Sequence, residues 1–143
     1  MSVPIIPEGQ RHDAMRLTLA AAQTFLRGAL VVLDGSKNVT ECGADPASIY
    51  GVALEPAGLN PEGALLCTVG KAYDGQKFWA SCTSAPTKAA NENKPFGVVK
   101  GADGTWVVDL TETVNTRVYI HQVDEDTQRV LFSILEANRQ IAP

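Results

Sequence analysis

Three short apolar segments, each interrupted by glycine, constrain the fold of this chain more than any other feature. They are FLRGALVVLDGSKNV (residues 25–39), IYGVALEPA (residues 49–57) and EGALLCTVGKA (residues 62–72). Branched and large apolar residues favour β-strands, and a glycine inside such a run marks a bulge, a bend or a close approach of two backbones. The pattern predicts an all-β module, with a bulge or close approach at Gly51 and a bend at Gly70.

Turn sequences divide the chain into short strands, as in small barrels and sandwiches. DGSKN (residues 34–38) predicts one hairpin tip, and Asp74-Gly75 predicts a second hairpin-type turn. FGVVKGADGTWVVDL (residues 96–110) and TRVYIHQVDEDTQRVLFSIL (residues 116–135) each predict a pair of strands. The longest polar stretch, residues 84–95, predicts an exposed loop.

The last predicted strand is apolar on both faces. Val130, Phe132 and Ile134 alternate with Leu131 and Leu135 along it. Because successive side chains of a strand point to opposite faces, both faces need a cover. A barrel or an oligomer contact would provide it.

The first sixteen residues predict an extended N-terminal arm, and residues 17–143 predict a single β domain. The arm contains two prolines and a glycine, which break regular structure. Its apolar side chains must pack either on their own domain or on another protein chain. The candidate contacts with another chain are Ile5, Ile6, Met15 and Leu17.

Composition narrows the range of partners. The 143 residues carry a formal net charge of −4, which argues against binding to a phosphate backbone, so we expect no nucleic-acid partner. No run approaches the roughly 20 apolar residues that cross a bilayer, and the first residues lack a basic region followed by an apolar one. We therefore expect no membrane partner and no export. Three cysteines without CxxC spacing suit free, mostly buried thiols.

No arrangement of reacting groups stands out in the sequence. The histidines are His12 in the arm and His121 in a strand, and neither has a nucleophile beside it. We expect His121 to be structural, on the same face as Tyr119 and Val123. The acidic turn at residues 124–126 lacks the spaced ligands of a calcium loop. We assign no catalytic residue, cofactor or metal site, and we expect a protein that is not an enzyme.

The three glycine-interrupted segments resemble the capsid cement, or head decoration, proteins of tailed bacteriophages. That family commonly shows an apolar-x-x-Gly-x-x-Val-Val pattern, then Gly-Val-Ala, then a glycine-led strand that ends in a valine-glycine pair. The resemblance covers residues 17–72, whereas residues 78–143 match no family motif. The matching residues are Phe25, Gly28, Val31, Val32, Gly51, Val52, Ala53, Gly63, Val69 and Gly70.

The resemblance implies a structural protein of the virion that is made in the host cytoplasm and binds the outer capsid surface. Its partners would be the major capsid protein and further copies of itself, as a homotrimer. The expected fold is a small β-barrel or β-sandwich, β-tulip-like, with an extended N-terminal arm. Deleting residues 1–13 should then abolish capsid binding and leave the fold intact.

Two alternatives remain open at this stage. One is a soluble ligand-binding β-barrel, or an enzyme built from loop residues, with residues 84–95 at the mouth of a deep pocket. The other is a different virion part, such as the base of a head fibre or a tail component.

Overall fold

A computed structural model describes residues 3–8, 14–57 and 66–140, and over these ranges the protein is all-β, as predicted. His12 and Gly63 lie outside the described residues. Helical structure is confined, within the described ranges, to the four-residue helix α1 (Lys88–Asn91) and a 3₁₀ turn at Glu136–Asn138. The strands are β1 (Ile6–Pro7), β2 (Ala14–Thr18), β3 (Leu30–Leu33), β4 (Val39–Glu41), β5 (Gly51–Ala53), β6 (Leu66–Lys71), β7 (Phe78–Ser81), β8 (Lys94–Lys100), β9 (Trp106–Asp109), β10 (Val118–Asp124) and β11 (Arg129–Ile134).

The first half of the chain forms a five-stranded antiparallel sheet in the order β2-β6-β5-β3-β4. The predicted hairpin at residues 34–38 joins β3 to β4. One carboxylate oxygen of Asp34 accepts hydrogen bonds from the backbone N–H groups of Ser36 and Asn38, both at 2.9 Å. This local side-chain bonding explains why the turn can be identified from sequence.

The second half forms a six-stranded sheet in the order β1-β7-β11-β10-β8-β9, in which β1 is contributed by the N-terminus. Both predicted strand pairs are confirmed as the hairpins β8–β9 and β10–β11. A bulge in β10 lies between Ile120 and Gln122, so the register moves by one residue at His121. As a result Val123 is buried while Tyr119 and His121 stay half-buried, which corrects the expectation that all three share one face.

Each sheet curls until strands far apart in its order meet. In the five-stranded sheet, Leu19 after β2 bridges Val39 in β4, and the Ala20 N–H donates to the Val39 carbonyl at 3.0 Å. In the six-stranded sheet, Cys82 after β7 bridges Val108 in β9. These contacts give both sheets a barrel-like curvature and cover part of their edges.

Three local expectations need correction. The turn at Asp74-Gly75 forms, with the Gln76 N–H bonded to the Tyr73 carbonyl, but it joins strands of different sheets and makes no hairpin. Gly70 lies inside β6, paired with Ala14 and Val52, and marks no bend. The polar stretch at residues 84–95 is not entirely a loop, because it contains α1 and the start of β8.

One hydrophobic cluster joins the two sheets. Val31 and Val69 from the five-stranded sheet belong to the same cluster as Phe78 and Phe132, whose ring centroids lie 5.8 Å apart. On one face of β11 Val130 and Phe132 are fully buried; on the other Leu131 is buried at 8% exposure, while Ser133 and Leu135 are half-buried, so both faces are at least partly covered. The two halves therefore share a core rather than forming independent units.

The N-terminal residues run extended, but they pair with their own domain. β1 pairs with β7, and the side chain of Ile5 is 1% exposed. Gly28 has a φ of +88°, and a Cβ there would lie 2.7 Å from the backbone nitrogen of Ile5. Only glycine gives the N-terminal segment room to cross at this point. The predicted boundary between residues 16 and 17 also falls inside β2, so it does not separate an arm from the domain.

The C-terminal residues fasten the second half to the first. Ile49 donates to the carbonyl of Asn138 at 2.7 Å, and the N–H of Gln140 donates to the carbonyl of Ile49 at 2.9 Å. The Gln140 side chain then accepts a bond from the Leu33 N–H at 2.8 Å and donates to the Leu33 carbonyl at 2.9 Å. A single amide side chain thus satisfies both backbone groups of Leu33, as a neighbouring strand would.

We expect Gly51→Ala to destabilise the fold by about 1–3 kcal/mol, because overpacking in a rigid core forces the backbone to shift. A Cβ on Gly51 would overlap the carbonyl oxygen of Gly70, whereas one on Gly35 has nothing within 4 Å. Gly35→Ala is therefore the matched control. Urea unfolding curves measure both variants, and equal midpoints for the two would contradict the close packing of β5 against β6.

Gln140→Ala should cost about 1–3 kcal/mol, because it leaves the partly buried N–H and C=O of Leu33 without partners. Gln122→Ala, at an exposed glutamine in β10, should change stability little. Thermal unfolding of both variants tests this difference. A loss for Gln140→Ala no larger than for the control would show that the side chain of Gln140 does not stabilise the contact between the halves.

Candidate functional site

Of the four candidate contact residues, only Met15 has a largely accessible side chain. Ile5 lies in the core of its own chain, which is the first of the two alternatives considered for the arm. Ile6 is half-buried in β1, opposite Trp79. Leu17 is half-buried and packs against the core. Met15 is 40% exposed, so it is the member of this set that can meet a partner.

Met15 lies on β2, at the end of the five-stranded sheet order. β2 pairs with β6 along one side and, within the described residues, its other side is met only at Leu19. The hydroxyl of Tyr50 donates to the sulfur of Met15 at 3.2 Å and holds that side chain in place. We define the β2 surface as the exposed residues of this strand: Ala14, Met15, Arg16 and Thr18. It offers one apolar side chain on an end strand of the five-stranded sheet.

A second candidate is an open groove of about 560 Å³ where the two sheets meet, which we call the inter-sheet groove. This volume lies in the usual range for ligand clefts. Trp106 and Val98 line it from the six-stranded sheet. The loop after β4 and the residues after β9 complete it. The full lining is Cys42, Gly43, Ala44, Asp45, Val98, Val99, Lys100, Trp106, Asp109, Glu112 and Asn115.

Glu41 ties the two sheets together beside this groove. Its Oε1 pairs with the Nζ of Lys100 at 2.8 Å, and its Oε2 accepts a bond from the Nε1 of Trp106 at 2.9 Å. Both carboxylate oxygens therefore have partners on the opposite sheet. The same bonds offset the charge of Lys100 and satisfy the indole N–H of a tryptophan that is almost fully buried.

The residues after β9 fold over β8 and form another side of the groove. A Cβ on Gly97 would overlap the side chain of Glu112, so glycine is required for this close packing. Arg117 bonds to the carbonyl of Asp45 at 3.3 Å and so connects the end of this segment to the loop after β4. Sequence reasoning missed the groove, because its residues come from four separate parts of the chain.

The groove does not match the pocket expected for a ligand-binding barrel. Residues 84–95 were predicted at the pocket mouth, yet none of them lines the inter-sheet groove. They instead hold α1, whose first turn is capped by the hydroxyl of Thr87, which accepts a bond from the Ala90 N–H at 3.2 Å.

Burial shifts the pKa values of the three cysteines and of His121. Burial, with a smaller contribution from Glu41, raises the pKa of Cys42 to about 12. Burial also raises the pKa of Cys82 to about 12. The pKa of Cys67 is raised to about 11, mainly by burial and in addition by the charge of Glu55. All three are free thiols, and Cys82 is half-buried. Burial, then the charge of Lys77, lowers the pKa of His121, whose Nε2 lies 2.8 Å from the Ser133 hydroxyl.

The described part of the chain contains no group of three or more His, Cys, Asp or Glu side chains placed to hold a metal ion. None of its helices is long and apolar enough to cross a membrane.

Comparison with known proteins gave no relationship: no protein-family model matches the chain, and no curated protein is significantly similar to it.

We expect all three thiols to resist alkylation in the native protein. At pH 8, a thiol with a pKa of 11 or higher is ionised in no more than about one molecule in a thousand, and the thiolate is the reacting form. Unfolding restores ordinary pKa values, so labelling by iodoacetamide should accelerate at least about 100-fold in urea. Intact-mass measurements over time report this, and rapid native labelling of any one cysteine would contradict it.

Proposed function

We propose that this protein is a capsid decoration protein of a tailed bacteriophage. As a homotrimer, it binds the outer surface of the expanded head and bridges neighbouring subunits of the major capsid protein. The proposal rests on the glycine-interrupted segments and on the structural unit that those segments form.

The observation that carries this proposal is that the span of the resemblance coincides with one sheet. The matching pattern covers residues 17–72, and the five-stranded sheet extends from β2 to β6 over nearly the same residues. Two glycines of the matching pattern are required by the packing of this sheet. Gly28 leaves space for the N-terminal segment at Ile5, and Gly51 lies against the backbone of Gly70. The shared pattern thus corresponds to one complete sheet of the domain, which supports a family relationship over chance similarity of β sequences.

The surface of the molecule is compatible with bridging neighbouring capsid subunits through repeated weak contacts. The β2 surface presents Met15 beside a strand edge, and such an edge can pair with an extended segment of another chain. A trimer bound at a symmetric position would engage three such surfaces at once. Each contact can then be weak, because the second and third form within an already bound complex.

The direct experiment mixes purified protein with emptied, expanded phage heads, then measures co-sedimentation and the temperature at which the heads break open. Saturable binding at many copies per head, with a higher breakage temperature, is the expected result. Absence of both would overturn the proposal. Binding in only a few copies would favour a fibre base or tail component instead.

Removal of residues 1–13 is a poor test of capsid binding, contrary to the expectation from sequence. It removes β1 and the buried Ile5 and should therefore destabilise the fold.

The substitution Met15→Asp is a more specific test. It places a charge on the β2 surface and should reduce head binding at least about tenfold, since burying an unpaired carboxylate is costly. Leu26→Asp is the matched control, because Leu26 is similarly exposed at 46% and lies outside β2.

Thermal unfolding and light scattering on both variants separate loss of binding from loss of the fold or of the trimer. If folded, trimeric Met15→Asp binds heads as tightly as the wild type, the β2 surface is not the contact.

A further inference from the structure

We infer that the inter-sheet groove is a docking site for an extended, positively charged segment of a partner protein, one in which lysine or arginine alternates with small apolar residues. If the partner is the major capsid protein, the inference rests on the proposed function. The groove is then a second contact site, in addition to the β2 surface.

The groove is accessible to a chain segment. It is partly open to solvent and has a volume of about 560 Å³. Its two sides are connected by fixed contacts: Arg117 bonds to the Asp45 carbonyl, and Glu41 bonds to Lys100 and Trp106. A site whose sides are already held in place loses little conformational freedom when it is filled.

The charges in the groove select the sign of the occupant. Asp45, Asp109 and Glu112 line it, while its one lysine, Lys100, already pairs with Glu41 at 2.8 Å. The guanidinium of Arg117 is held by carbonyl oxygens of Thr116 and Asp45. One oxygen of Asp109 and one of Glu112 accept bonds from nearby backbone N–H groups, which orient these carboxylates. The lining therefore presents excess negative charge, two of whose three carboxylates are held in place, and this charge is complementary to a cation.

Apolar side chains beside the carboxylates indicate a polypeptide rather than a free cation. Val99 lines the groove and is 37% exposed. Val114, between the lining residues Glu112 and Asn115, is 85% exposed and is the most exposed large apolar side chain in the described ranges. An extended segment directs alternate side chains to opposite sides, so it can meet the carboxylates with its cations and Val99 with an apolar residue.

The test uses NMR titration of the full-length protein with the blocked peptide Lys-Val-Lys-Val-Lys, and with Glu-Val-Glu-Val-Glu as the charge control. Saturable shifts are expected for the indole N–H of Trp106 and for the backbone amides of Val99 and Lys100, with the basic peptide only. Raising the salt concentration should weaken the binding, because the attraction is between exposed charges.

The decisive variant is the triple substitution Asp45→Asn, Asp109→Asn and Glu112→Gln. Each amide keeps an oxygen that can accept the existing backbone bonds, so the fold should persist while three charges are removed. Peptide affinity should fall at least tenfold. The matched control is Asp74→Asn, Glu125→Gln and Asp126→Asn, which changes the net charge equally at residues that do not line the groove.

The outcomes separate this inference from the proposed function. Absence of groove shifts with the basic peptide, or equal weakening by the groove and control variants, overturns the docking site whether or not heads are bound. Wild-type protein that binds the basic peptide but no heads overturns the decoration role and leaves the groove supported. If the groove variant binds heads as tightly as the control variant, then the major capsid protein is not the partner docked there.

Discussion

The junction between the two curled sheets is the constraint on which the rest of the structure depends. Neither sheet has a separate core, because residues from both belong to one buried cluster. The chain termini secure this junction from two sides: Ile5 inserts beside Gly28, and Gln140 completes the hydrogen bonding of Leu33. Glu41 adds a third tie through both carboxylate oxygens. Ordering of one half therefore depends on the other, as expected for a small cooperative domain.

The same junction produces the features that a partner can recognise. A groove lies between the two sheets, beside the bonds that Glu41 makes to Lys100 and Trp106. Because the groove is lined from four parts of the chain, its carboxylates and valines are brought together only when the junction forms. The β2 surface is different in kind: it belongs to one strand of one sheet and depends on the junction only indirectly.

The sequence predicted those parts of the fold that rest on local chemistry. The hairpins β3–β4, β8–β9 and β10–β11 were foreseeable because turn residues lie between adjacent strands that pair with each other. The Asp74-Gly75 turn was misassigned because a turn sequence does not reveal which sheet receives the next strand. The face of Val123 was misassigned because the bulge at His121 reverses the alternation, and a bulge in β10 has no glycine to mark it.

By itself, the sequence determined the all-β class, the close approach at Gly51 and a β11 strand with cover on both faces, because each follows from side-chain size and alternation along a few residues. Only the tertiary structure decided that Ile5 belongs to the core, that the two halves share one interior, and that a groove with carboxylates lies between them. These features depend on contacts between residues far apart in the chain. Local patterns carry no information about which distant segment will fill a given space.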